Sequence, residues 1–105
     1  MRHPLWAAAV LLLASVVAVS ANEVTVNLGY GGLAPARVTI GKGDTVVFQN
    51  TQDMPGGYTV VADDGSFRSP ALAKDKTWSH TFDTPGTYTV HLREHPEAGG
   101  EIVVK

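Results

Sequence analysis

Few side chains in this 105-residue chain can do chemistry: it holds four histidines, two methionines and no cysteine. Beyond the first turn of sequence, the donors are Met54, His80, His91 and His95, with Glu94 and Glu97 flanking His95. Without cysteine there is no disulfide, thiolate metal site, cysteine nucleophile, or Cys-attached lipid or haem. Imidazole with carboxylate suits Cu(II), Ni(II) or Zn(II), which makes His95 with Glu94 or Glu97 a candidate for a weak divalent site. Two or three donors without supporting partners would leave it loose. Ser66, Ser69 and Ser79 lie in no nucleophile motif. The glycine-rich stretches lack the strand-to-helix context that cradles phosphate. No catalytic residue is assigned, and the chain is not expected to be an enzyme.

Each donor also has a plain structural reading. His80 alternates with Trp78 and Phe82 and is expected to be a packed histidine. His91 should point to the opposite face, toward solvent. His95, Glu94 and Glu97 are expected on an exposed loop, with the two carboxylates solvated.

The ends and the charge set the compartment. Eight Lys+Arg against ten Asp+Glu give a net charge of −2, which excludes a strongly basic nucleic-acid binder. Met1-Arg2-His3-Pro4 is a short positive head, Leu5 to Val19 is apolar apart from Ser15, and Val19-Ser20-Ala21 offers small residues for cleavage. That apolar run is short of the roughly 20 residues needed to cross a bilayer. The expectation is a signal peptide over 1–21 and one domain over 22–105, periplasmic or secreted, with no membrane insertion after cleavage. Losing Arg2 would leave seven Lys+Arg against ten Asp+Glu, a net of −3. A mature start at Asn22-Glu23-Val24 has no histidine at its first or third position, which excludes two N-terminal copper modes.

The remaining chain must position these donors with strands. Glu23 to Leu28, Arg37 to Ile40, Thr45 to Gln49, Tyr58 to Val61, Thr77 to Phe82, Thr87 to Leu92 and Glu101 to Val104 are alternating, β-branched or aromatic runs. Between them lie Gly41-Lys42-Gly43-Asp44, Pro55-Gly56-Gly57, Asp63-Asp64-Gly65, Asp83-Thr84-Pro85-Gly86 and Gly99-Gly100, read as turns. Gly29 to Leu33 reads as a loop carrying an exposed Tyr30. Short strands at this spacing, with no helical period, predict an antiparallel sandwich or barrel. A loop over Asp83 to Thr87 would make a hairpin, setting Phe82 opposite Tyr88, His80 opposite Val90 and Trp78 opposite Leu92. All six would then share one core-facing stripe.

In order along the chain, three stretches resemble the cupredoxins, the small blue copper proteins of the plastocyanin and amicyanin type. They are Leu33 to Asn50 (LAPARVTIGKGDTVVFQN), Ser66 to Phe82 (SFRSPALAKDKTWSHTF) and Asp83 to Lys105 (DTPGTYTVHLREHPEAGGEIVVK). The resemblance implies an all-β Greek-key sandwich of about seven to eight strands. It also implies one copper ion held by two His, a Cys thiolate and a weak axial Met, in a periplasmic electron carrier. On this chain the family's Cys falls on Leu92, its axial Met on Ala98, one His on His95 before Pro96, and the other His on Gly56 or Gly57. One ligand of four survives, so the type 1 copper site is expected to be lost and no cofactor is expected; copper bound in another mode is the alternative.

The expected replacement is an apolar plug at Leu92 beneath a glycine loop. Burying that leucine is worth roughly 1.5–3 kcal/mol. Family members that move electrons dock through the apolar patch around the loop histidine, here Leu33, Pro55, His95, Pro96 and Ala98. The reading is thus a binding or accessory module whose partner is another exported protein, with no nucleic-acid partner. The alternatives are copper handling through His95 and nearby donors, or a residual electron-transfer role.

Overall fold

The alternation of β-branched and polar residues becomes eight strands in the computed structural model, which describes residues 22–105. They are β1 (Glu23–Gly29), β2 (Gly32–Ala34), β3 (Arg37–Ile40), β4 (Thr45–Asn50), β5 (Val60–Ala62), β6 (Thr77–Thr81), β7 (Gly86–Leu92) and β8 (His95–Val104). The expected signal peptide over 1–21 lies outside the described residues. Among those described there is no helix, and none long and apolar enough to cross a membrane.

Two four-stranded sheets face each other, ordered β2-β1-β4-β6 and β3-β8-β7-β5. Strand period two then fills the space between them. Val26 and Leu28 of β1 and Val46 and Phe48 of β4 meet Val38, Ile40, Val90, Leu92, Ile102 and Val104 of the opposite sheet, all buried. The observed architecture is an eight-stranded sandwich, in line with the expected seven to eight strands.

The strand directions differ from a purely antiparallel sandwich. β1 runs parallel to β4, and β3 parallel to β8. The reason is that several short turns connect strands across the two sheets instead of along one edge. Gly41 to Asp44 carries the chain from β3 in one sheet to β4 in the other.

The Asp83–Pro85 turn does the same between β6 and β7, so the expected hairpin there does not form. β6 pairs with β4, setting Trp78 beside Phe48 and His80 beside Val46. Leu92 pairs with Val60 on one side and His95 on the other, not with Trp78. The shared inward face survives this change, because alternation within each strand is independent of pairing. Phe82, Val90 and Leu92 are buried, and Trp78, His80 and Tyr88 are half-buried.

The glycine pair Gly99-Gly100 is inside β8 and makes no turn. A Cβ on Gly99 would stand 2.7 Å from the Val90 carbonyl oxygen, and one on Gly100 2.9 Å from that of Ala36. Close backbone approach, not a bend, requires glycine there.

Candidate functional site

Met54, Glu94, His95 and Glu97 sit at one end of the sandwich, where β7 turns into β8 and near the loop between β4 and β5. Leu92 ends β7 with no exposed surface, just beyond a register irregularity between His91 and Leu92. Ala98, inside β8, is also buried. Both positions are apolar core.

The loop above them is fixed by a turn. Gly57 N–H donates to the Met54 carbonyl at 2.8 Å, with Pro55 and Gly56 between. Proline presets φ near −65° at the first central position, and Gly56 at the second has φ +84°; together these define a type II turn. Gly57 follows at φ +72°, and a Cβ there would strike the Leu72 carbonyl oxygen at 2.5 Å. Of these two glycines, only Gly56 faces open space. Its φ of +84° is a conformation costing an L-residue roughly 1–2 kcal/mol.

Beneath the turn the backbone is tied down by buried side chains. Asn50, fully buried, donates from Nδ2 to the Leu72 carbonyl at 2.8 Å and accepts from the Gln52 N–H at 2.9 Å. Tyr58 is fully buried and its hydroxyl donates to Gln52 Oε1 at 3.0 Å. Burial pushes its phenol pKa up, with the neighbouring Tyr30 and Glu94 adding to the shift.

His95 opens β8 and does not lie on an exposed loop; its side chain is 23% exposed. Its ring is edged by Tyr30 at a centroid distance of 4.8 Å and by Tyr58 at 6.0 Å. Nδ1 lies 3.5 Å from a Glu97 carboxylate oxygen, while Nε2 is buried with no hydrogen-bond partner. Tyr30, in the turn between β1 and β2, is 58% exposed and donates to Met54 Sδ at 3.4 Å. It therefore links the methionine to the histidine across the top of the site.

Glu94 is not a solvated charge. It accepts from the Thr59 N–H at 2.7 Å and from its hydroxyl at 2.9 Å, bracing the β7–β8 connection against the start of β5. Glu97 does reach solvent. Of the expected apolar patch, Leu33 and Ala98 are buried and offer no surface, while Pro55 and Pro96 are exposed and His95 half-buried. Tyr30 stands in their place at the surface.

The other two histidines lie away from this end. His80 stacks on Phe67 at 4.5 Å and on Trp78 at 5.5 Å, and burial pushes its pKa below the usual imidazole value. His91 is on the outer face as expected, but it is paired: Nδ1 is 2.6 Å from an Asp63 carboxylate oxygen. Asp63 also accepts from the Thr89 hydroxyl, and these bonds, His91 first, hold its carboxyl below the usual range. No group of three or more His, Cys, Asp or Glu among the described residues is placed to hold a metal ion.

Comparison with known proteins decides the family. A model of the cupredoxin-like domain matches residues 4–104. The chain belongs to the cupredoxin family. It is 35% identical over 66 residues to amicyanin of Paracoccus denitrificans, and 30% identical over 100 residues to a chloroplastic plastocyanin of Physcomitrium patens. Those matches take in 60% and 81% of this chain but only 50% and 58% of the relatives' lengths. In structure it superposes on a Cu(I) form of an amicyanin with a methionine-to-alanine substitution. The TM-score is 0.70 at 28% identity, covering 79% of this chain and 82% of that one.

The type 1 ligand set does not fit this cupredoxin. Leu92 and Ala98 have no donor atom, and Gly56 has no side chain.

Proposed function

We propose that this chain is an exported cupredoxin-like binding or accessory module that acts on another exported protein. In this reading it is neither an enzyme nor an electron carrier. The observation that carries the reading is Leu92, fully buried where the family's thiolate would stand. A soft sulfur donor sets the type 1 geometry, and an aliphatic side chain cannot replace it. The working surface in this reading is Tyr30, Pro55, Pro96 and the exposed edge of His95. Aromatic and rigid residues lose little side-chain entropy on docking.

A second reading, copper handling, rests on His95 Nε2. A buried ring nitrogen without a partner costs about 1–3 kcal/mol, and a bound cation would recover that. The test is titration with Cu(II) and Cu(I), with metal content and the visible spectrum recorded. No stoichiometric copper supports the partner module. Stoichiometric binding without an intense blue band, lost on His95→Ala, supports copper handling. An intense blue thiolate-type band would overturn both.

A further inference from the structure

We propose that the outer face of the β1–β2 hairpin is a binding site for a small uncharged polyhydroxylated ligand, a neutral pyranose. It is independent of the partner reading, since it rests on different residues apart from Tyr30. A cleft of about 370 Å³ opens there. Its size falls at the lower end of the ~300–1,000 Å³ range of small-molecule sites.

The hollow follows from strand alternation. Leu28 and Leu33 point into the core, so their neighbours face outward. Pairing sets Asn27 opposite Ala34 and Gly29 opposite Gly32. Two glycines and an alanine leave this patch of sheet almost bare of side chains. Gln52 closes one side, its amide 3.4 to 3.5 Å from where a Gly29 Cβ would be. Tyr30 closes another.

The lining is chemically specific. No charged side chain lines the cleft, so an ionic ligand would find no counter-charge. Gln52 Oε1 is held by the Tyr58 hydroxyl, which fixes the carboxamide and leaves Nε2 free to donate. Tyr30 gives its proton to Met54 Sδ, so its oxygen is left to accept. Asn27, exposed and making no side-chain hydrogen bond among the described residues, can do both. An aromatic ring beside paired donors and acceptors suits a ligand whose C–H face is apolar and whose rim is hydroxyl. Tyr30 is already held by Met54 and His95, so little ordering remains to be done on binding.

The test uses the full chain, with amide NMR as the readout. Soluble cellobiose, maltose and N,N′-diacetylchitobiose form one arm, and insoluble cellulose, starch and chitin the other. The expected result is millimolar binding that shifts the Asn27 and Gln52 side-chain amides and the backbone from Gly29 to Ala34. A response to disaccharides assigns free sugars; retention on the polymers alone assigns glycan surfaces. Tyr30→Ala should weaken binding about tenfold, in line with about 1.4 kcal/mol. Gly31 has open space around it and lies outside the left-handed region. Gly31 also lines the cleft, so Gly31→Phe should obstruct it and weaken binding with the melting temperature unchanged. No response to either class, or equal binding by Gly31→Phe, would overturn the proposal.

Discussion

His80 and His95 both pack against aromatic rings, yet the two ends they occupy are built differently. His80 lies in a column of flat contacts with Phe67 and Trp78, and Phe67 also meets Phe48, Phe82 and Tyr88. That end is stabilised by apolar area, and desolvation simply keeps the imidazole neutral. His95 is met edge-on by two tyrosines, beneath a glycine turn and beside buried Leu92 and Ala98. That end is held by hydrogen bonds of Asn50, Gln52 and Glu94 to backbone or side chains. The two ends thus reach closure by different means, one by stacked rings and the other by leucine, tyrosine and a hydrogen-bonded turn.

The sharpest way to break the comparison is to hollow each end in turn. Phe67→Ala should cost about 3–5 kcal/mol and Leu92→Ala about 2–5 kcal/mol in denaturant unfolding. If the Leu92 variant loses almost nothing, that end is not a packed core. Next come the two turn glycines. Gly57→Ala should cost clearly more than Gly56→Ala, since only Gly57 faces a carbonyl at 2.5 Å. Gly56→Ala should cost about 1–2 kcal/mol, the left-handed penalty alone. Equal losses would contradict the type II turn and its contact with Leu72.

The histidine contrast has a pH signature. Because the His80 pKa is lowered by folding, the unfolded chain takes up a proton more readily. Stability should therefore fall as pH drops below the unfolded imidazole value of about 6.5. The decline should end once pH is below the folded pKa. His80→Phe should flatten that slope; an unchanged slope would place its origin elsewhere.

The smallest effect concerns the exposed pair. Asp63→Asn should lose less than about 1 kcal/mol near neutral pH, since exposed ion pairs are weak. The Asp63 carboxyl pKa is depressed, so its contribution is present above the unfolded value near 3.9 and lost as pH falls through the folded one.

The sequence carried the inward faces of the strands because a period of two is local. Val24, Val26 and Leu28, or Phe82, Val90 and Leu92, can be sorted without knowing what they pair with. Sheet membership is not local: Asp83-Thr84-Pro85-Gly86 reads as a hairpin turn but bridges the two sheets. That Leu92 is apolar core was legible from its inward phase on β7, and the structure buries it together with Ala98. Glu94 was not legible, since its partner Thr59 is distant in sequence and only the fold brings them together. Tyr30 was visible as an exposed aromatic between glycines, but its contacts with Met54 and His95 need three separate segments to meet.

The central claim is that the family's metal end has become an apolar core closed by a turn. Copper titration of the full chain, read by metal content and visible absorption, tests it most directly. The account predicts no intense blue band under either Cu(II) or Cu(I) with reoxidation. A stoichiometric blue centre in this cysteine-free chain would contradict it.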